Sequence, residues 1–135
     1  MSLKIDHIVI TVKDINKSIS FYSNVLEMEL KEFYSLSDNT TRKSLKFGNQ
    51  KINLHEALNP FSPHAKHPSP GAVDICFIST KPISEWIDTL KKNKINIEDG
   101  PVQKTGAKGP ILSIYIRDPD ENLIEISNTI NNQSN

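Results

Sequence analysis

Three side chains that can bind a metal stand in strand-like segments where an aliphatic residue would be the usual choice. His7 lies in the run IDHIVITV, Asp74 lies in AVDICFIS, and Glu125 lies in NLIEIS. An unpaired carboxylate is costly to bury, so such groups are usually paired or bound to a metal. His, Asp and Glu together suit Mn²⁺, Fe²⁺, Co²⁺, Ni²⁺ or Zn²⁺. The spacing is equally compatible with a solvated sheet face on which His7 and Asp74 are simply exposed.

The elements that must position these donors occur twice in the same order. The periodicity predicts a strand over Ile5–Val12 and a helix over 14–26, then again a strand over Ala72–Ser79 and a helix over 82–93. Three strands are predicted after each helix, separated by breaks such as Gly100-Pro101. They cover Glu29–Ser35, Arg42–Phe47 and Lys51–His55 in the first half, and Ile95–Glu98, Ile111–Arg117 and Asn122–Ser127 in the second. The predicted fold class is therefore α+β, with two βαβββ modules.

A proline-rich segment separates the two modules. Four of the eight prolines lie between Asn59 and Gly71, which favours an extended connector over a helix or strand. We therefore predict a single domain over 1–129, with modules at 1–58 and 71–129 and a linker at 59–70. The polar residues 130–135 are predicted to form a disordered tail.

Side-chain alternation gives each module one aliphatic and one polar strand face. The aliphatic faces are expected against the helices. The polar faces look the other way, either to water or into a cavity formed by curved sheets. The second polar face carries Ser113, Tyr115 and Arg117, which are candidates to bind an anionic substrate; Arg117 is equally well placed to pair with Asp118 or Asp120. Cys76 occupies a small-residue strand position and is interpreted as part of the core.

Composition excludes several classes of protein. Sixteen Lys and Arg balance sixteen Asp and Glu, so the basic excess typical of a nucleic-acid-binding protein is absent. The one cysteine excludes an intramolecular disulfide, and no apolar run approaches the ~20 residues of a membrane span. The N-terminus carries no apolar signal region, which favours a cytoplasmic protein.

Long segments of the chain resemble the vicinal oxygen chelate superfamily, which includes glyoxalase I, fosfomycin and bleomycin resistance proteins, extradiol dioxygenases and methylmalonyl-CoA epimerase. The resemblance runs from about Ile5 to Asn128 and is carried by IDHIVITVKD, SFY and YIRDPDENLIEI. FGNQKINLHE, HPSPG and the stretch from Gly100-Pro101 to TGAKGP are similar to the glyoxalase-domain-containing protein 5 group.

This resemblance implies a cupped, partly open mixed β-barrel around a divalent metal ion. It assigns His7, Asp74 and Glu125 as ligands, and the fourth position falls to Asn53 or to His55, which is the better donor. The family pattern is not complete: fosfomycin transferases and extradiol dioxygenases generally have His where Asp74 stands, and glyoxalase I commonly has Glu where Asn53 stands.

Three functions remain open from the sequence. The first is a glyoxalase I-like lyase or isomerase that acts on a small vicinal-oxygen substrate through a metal-bound enediolate, with His55 or Glu125 as the catalytic base. The second is a non-catalytic small-molecule binding or resistance protein of the bleomycin-resistance type. The third is a thiol transferase or dioxygenase, which Asp74 disfavours. A homodimer is expected, because half-barrels of this family often complete across a twofold axis and edge strands invite pairing.

Overall fold

The computed structural model describes residues 2–131 and divides the chain into two compact units, with the boundary between Ala72 and Val73. Each unit has a strand, a helical segment and three further strands, which confirms the predicted βαβββ repeat. The first unit contains β1 (His7–Val12), α1 (Ile15–Ile19), a π-helical turn (Ser20–Val25), β2 (Glu29–Ser35), β3 (Thr40–Phe47) and β4 (Gln50–Glu56). The second contains β5 (Asp74–Ile78), α2 (Ile83–Lys92), β6 (Asp99–Gly106), β7 (Gly109–Arg117) and β8 (Leu123–Thr129).

The two sheets have the same topology. Their strand orders are β1-β4-β3-β2 and β5-β8-β7-β6, and in each the first pair is parallel and the others are antiparallel. Val9 lies opposite Asn53 in one sheet, and Cys76 lies opposite Glu125 in the other. One alignment of the units therefore places Asn53 at the position of Glu125 and His7 at the position of Asp74.

Aliphatic side chains on one face of each sheet form the core. In the first unit Ile10, Val12, Ile52 and Leu54 are almost completely buried, and α1 packs beside them against β4. Burying such a side chain stabilises the fold by about 1.5–3 kcal/mol. The alternate residues of β1 point the other way, so His7 and Val9 remain exposed. In the second unit the corresponding core lies under α2, which contacts β7 and β8.

The first helix changes its hydrogen-bonding pattern midway. It begins at Asp14, whose carboxylate accepts the backbone N–H groups of Asn16 and Lys17. It ends in a π turn in which the Leu26 N–H bonds the Phe21 carbonyl, five residues back, at 3.2 Å. The adjacent rings of Phe21 and Tyr22 are both buried and meet edge to face at 5.0 Å. The predicted span of 14–26 is right in extent, but it is not a uniform α-helix.

One predicted strand is misplaced. The segment Ile95–Glu98 is assigned neither helix nor strand, although the Ile95 N–H bonds the Leu90 carbonyl and the Glu98 N–H bonds the Tyr115 carbonyl; β6 instead runs over Asp99–Gly106. Gly100-Pro101, predicted as a break, lies inside this strand, where the register shifts between Asp99 and Val102. Proline is tolerated there because β6 is an edge strand with an irregularity, and neither needs its missing N–H.

Between Glu56 and Asp74, a range that includes the predicted linker at 59–70, the chain forms neither helix nor strand. Strand β8 extends to Thr129, and the Ile130 N–H bonds the Pro110 carbonyl at 3.0 Å, so the first residue of the predicted tail is held in place. Asn131 is assigned neither helix nor strand, and residues 132–135 of that prediction lie outside the described residues. Over residues 2–131, neither helix has the length and apolar composition needed to span a membrane.

Candidate functional site

Glu125 is the centre of a hydrogen-bonded cluster in the second sheet. The cluster lies on the face that does not pack against α2, called the open face below. The buried Ser113 hydroxyl donates to Glu125 Oε2 at 2.6 Å, and Ser127 reaches the same oxygen at 3.3 Å. The two serine oxygens are themselves 2.6 Å apart, and Cys76 Sγ lies 3.3 Å from the Ser127 oxygen. This places the predicted ligand Glu125 in a fixed orientation. Ser113, predicted to bind substrate, contacts Glu125 here instead of facing open space.

Cys76 is exposed on this face, so its interpretation as a core residue is wrong. The alternation of β5 sends Ile75 and Phe77 toward the helix and leaves Cys76 on the polar side. Burial of its sulfur is the main cause that raises the pKa of the Cys76 thiol; the Ser127 hydrogen bond opposes this shift, and the nearby Glu125 carboxylate adds a smaller increase. Protons on Cys76, Ser127 and Ser113 can then all be directed along one chain that ends at Glu125.

Tyr115 lies opposite Glu125 in the β7–β8 ladder. Desolvation raises its pKa first, and the charge of Glu125 raises it further, with smaller contributions from Cys76 and Asp74. The phenol therefore stays protonated through neutral pH and offers a hydrogen-bond donor beside the carboxylate. Asp74, the other predicted ligand of this unit, is exposed at the start of β5.

Arg117 makes a contact that the sequence analysis missed. Its Nε and Nη2 bind the two carboxylate oxygens of Glu98 at 2.9 Å each, and Nη1 donates to the Glu121 carbonyl. The predicted ion pair with Asp118 or Asp120 is therefore replaced by one with Glu98. Asp118 Oδ1 instead accepts two backbone N–H groups of its own turn, from Asp120 and Asn122.

In the first unit, His7 is held by its neighbour in the chain. Its Nδ1 lies 2.8 Å from Asp6 Oδ2, and this hydrogen bond is the main cause of a lowered pKa for Asp6. The bond uses one ring nitrogen and fixes the orientation of the imidazole. A carboxylate in this position is the usual partner of a metal-binding histidine, because it leaves the other nitrogen to the metal.

Asn53 and His55 lie on the same face as His7, two strand residues apart. Among the described residues, His55 Nδ1 and Asn53 Oδ1 are buried atoms that lack a hydrogen-bond partner. Phe61 of the linker covers His55 edge-on at 5.3 Å, and the Arg42 guanidinium lies 4.2 Å from the centre of the Phe61 ring. Desolvation, followed by the charges of Arg42 and His64, lowers the pKa of His55.

The ladder distinguishes the two candidates for the fourth ligand. In the alignment of the two units, Asn53 occupies the position of Glu125. His55 occupies the position of Ser127, because His55 pairs with Thr11, Ser127 pairs with Ile78, and Thr11 is equivalent to Ile78. Over residues 2–131, no three or more His, Cys, Asp or Glu side chains are grouped in a way that could hold a metal ion.

The sequence matches a described superfamily over most of its length. The profile of the Glyoxalase/Bleomycin resistance protein/Dioxygenase superfamily covers residues 4–126. "Virulence protein STM3117" of Salmonella typhimurium is 49% identical over 124 residues, which span 92% of this chain and 83% of that protein. "Glyoxalase domain-containing protein RDO1" of Mycosarcoma maydis is 47% identical over 123 residues, spanning 91% and 66% of the two chains. "Metallothiol transferase FosB" of Staphylococcus epidermidis is 32% identical over 123 residues, spanning 90% and 79%.

The fold agrees with the sequence relationship. The crystal structure of the Salmonella virulence protein superposes with a TM-score of 0.88 at 47% identity, covering 96% of this chain and 99% of that one. The two four-stranded mixed sheets are thus those of the glyoxalase/bleomycin resistance fold that the sequence predicted.

Proposed function

Because this chain belongs to the glyoxalase/bleomycin resistance protein/dioxygenase superfamily, we propose that it is a divalent-metal-dependent enzyme of the glyoxalase I-like type. Its substrate would be a small molecule with oxygens on adjacent carbons. The observation that carries this proposal is Glu125, a carboxylate in mid-strand whose orientation is fixed by the buried Ser113 hydroxyl. A purely structural role would not need a charged group there.

The proposed ligands are His7, Asp74 and Glu125, with His55 as the fourth donor or close to it. Their chemistry fits Zn²⁺, Ni²⁺, Co²⁺, Mn²⁺ or Fe²⁺. Two features support the fit: the Asp6 carboxylate behind His7, and the buried nitrogen of His55 that lacks a partner among the described residues. Ligands are usually oriented by such outer contacts.

The residues of the chain have separable roles in this proposal. A divalent metal, when bound, would act as a Lewis acid that stabilises negative charge on a substrate oxygen. Where His55 lies beside the metal and is not itself a ligand, its lowered pKa keeps it neutral at pH 7, so it is able to accept a proton from a substrate carbon. Tyr115 keeps its proton and donates a hydrogen bond. Glu125 is the alternative base, and Ser113 holds it in place.

Metal content and turnover test the proposal together. The full chain, purified without chelator, should contain stoichiometric transition metal by mass spectrometry and should isomerise at least one member of a panel of hemithioacetals. His7→Ala should lose the metal and the activity while keeping the unfolding midpoint of the chelator-treated wild type. His67→Ala, an exposed linker histidine, is the matched control and should keep both. Metal retention by His7→Ala equal to that of the wild type would refute the ligand assignment.

A non-catalytic binding protein is the second candidate, and one observation favours it. Asn53 stands at the ladder position of Glu125, and an amide cannot remove a proton. Binding of a small molecule without turnover of any hemithioacetal, in a metal-free chain, would support this function. The relationship to a metallothiol transferase makes a thiol transferase a third outcome, detectable as thiol consumption in the same assay.

A further inference from the structure

The open face of the first sheet, which is the face that does not pack against α1, carries two like charges side by side. This pair does not stabilise the fold. Lys46 on β3 lies directly opposite Lys51 on β4, one pair away from the Gly48-Asn49 turn. Like charges directly opposite each other in a ladder destabilise a sheet. Unfavourable local arrangements of this kind are expected at functional sites.

Neighbouring carboxylates neutralise this pair only in part. In the same row, Glu29 lies opposite Lys46, but its carboxylate is bound to Lys31 at 2.9 Å. His7 occupies the other end of the row, beside Lys51. The Asp6 carboxylate also feels the charge of Lys51, which helps to lower its pKa, but it is hydrogen-bonded to His7. Three lysines therefore share two carboxylates, both of which are already bound elsewhere. The pKa of Glu29 is lowered first by the hydrogen bond to Lys31 and its charge, and further by Lys46.

The equivalent row of the second unit shows what a balanced arrangement looks like. Arg117 and Leu123 occupy the positions of Lys46 and Lys51. There the cation is neutralised by both oxygens of Glu98, and its partner is apolar. On the opposite face of β3, Lys43 likewise has an acid within reach, because its ammonium lies 4.0 Å from Glu32. The excess positive charge is thus specific to the open face of the first sheet.

Lys51 is also held in place over this face. Its ammonium lies 4.4 Å from the centre of the Phe33 ring, a cation–π contact that limits its motion. Lys46 is exposed and free to turn toward the same point. Two ammonium groups on neighbouring strands, one of them anchored, suit a compact anion that bridges them.

We propose that Lys46 and Lys51 form a binding site for a small oxyanion, a carboxylate or a phosphoryl group, and that this is the charged end of the substrate. The identification of the anion as part of the substrate rests on the proposed function, whereas its binding requires only the lysines. The row ends at His7, so a molecule bound here extends along the sheet toward that proposed ligand.

Titration of the full chain with inorganic phosphate and with malonate tests this site. Amide shifts in a ¹⁵N spectrum should saturate and centre on the turn between Lys46 and Lys51. Lys46→Gln and Lys51→Gln should each weaken binding at least about tenfold, the loss of one charge-assisted hydrogen bond. Lys43→Gln, on the other face of the same strand, should bind as the wild type does. The stronger of the two anions identifies the phosphoryl or the carboxylate source.

Absence of saturable binding in the wild type, or equal loss in Lys43→Gln, would overturn the proposal. Measurements on chelator-treated protein separate it from the proposed function. A chain that never retains metal but binds phosphate through Lys46 and Lys51 would keep this site and refute the metal-dependent enzyme. The reverse result would refute this site alone. Unfolding midpoints at or above that of the wild type would show that both glutamine variants are folded.

Discussion

At the scale of single residues, the Ser113 hydroxyl orients the carboxylate of Glu125. It is completely buried and joins Glu125 to Ser127. Sequence alternation placed Ser113 and Glu125 on one face, but the hydrogen bond between them depends on the β7–β8 register, which alternation alone does not give. The same limit hid the ion pair of Arg117 with Glu98, since Glu98 lies 19 residues away in the chain.

Replacing Ser113 by alanine should therefore destabilise the fold. The change leaves the Ser127 hydroxyl and one Glu125 oxygen without their shared partner, so the free energy of unfolding should fall by about 1–3 kcal/mol in urea denaturation. Ser84→Ala, at an exposed position of α2, is the control and should stay within about 0.5 kcal/mol. A wild-type midpoint for Ser113→Ala would mean that the cluster is unimportant for stability.

His55 should make stability depend on pH in a specific direction. Its pKa in the folded state is lowered from 6.5 by desolvation and by the charges of Arg42 and His64. The unfolded chain therefore binds a proton first as the pH falls below about 6.5. The resulting contribution to stability is complete above that pH and is lost as the pH falls toward the folded pKa.

Unfolding in urea between pH 5 and pH 8, on chelator-treated protein, measures this dependence. His55→Gln should reduce the loss of stability in acid, and His67→Gln, an exposed control, should not. Direct titration of the His55 ring protons by NMR should give a midpoint below 6.5, the ordinary value for histidine. A midpoint at or above that value would contradict the buried environment described for His55.

At the scale of elements, most strands could be read from the sequence and β6 could not. The apolar alternation of β1, β4, β7 and β8 is strong, because one face of each is buried under a helix. Strand β6 has the sequence DGPVQKTG, whose glycines and proline disfavour strand on their own. It is a strand because it pairs with β7, and such long-range pairing overrides local preference.

Gly100 makes that pairing possible, which gives a matched prediction. It has φ +97°, and a Cβ there would collide with the backbone carbonyl oxygen of Ser113. Gly48 also has a positive φ, +56°, but a Cβ would meet nothing within 4 Å. Gly48→Ala should cost about 1 kcal/mol, the penalty of a left-handed backbone alone. Gly100→Ala should cost clearly more, since β6 must shift; equal losses in thermal unfolding would contradict this role.

The turn between β7 and β8 contains a sequence motif whose side chains hold the fold together. Asn122 is buried, accepts the Val73 N–H through its side-chain oxygen, and donates to Asp118 Oδ2 at 2.8 Å. It thus fastens the start of β5 to the turn. These bonds explain the role of the DPDEN motif, which supported the family resemblance. The guanidinium of Arg117, beside the motif, is hydrogen-bonded to Glu98.

At the scale of the whole molecule, the duplicated architecture lets each residue be compared with its counterpart. The comparison distinguishes positions where opposite charges pair, such as Arg117 with Glu98, from positions where like charges meet, such as Lys46 with Lys51. The sequence predicted the repeat, because the repeated order of strands and helices follows from the hydrophobic periodicity. It did not predict the surplus charge, because net charge is zero and the imbalance arises only when strands are placed side by side.

We also predict that the chain is a homodimer. Strands β2 and β6 are at the edges of their sheets, and unpaired edges favour association. Sedimentation at micromolar concentration should give a species of twice the chain mass. A monomer under these conditions, with metal present, would contradict the prediction.

The central claim is that His7, Asp74 and Glu125 bind one metal ion, and anomalous diffraction tests it most directly. Crystals of the full chain, grown with the metal that copurifies, should show a single strong peak at that metal's absorption edge. The account predicts side-chain oxygen and nitrogen atoms of all three residues about 2.0–2.3 Å from the peak. A peak at other residues, or a fully loaded protein in which these side chains point to different regions, would contradict it.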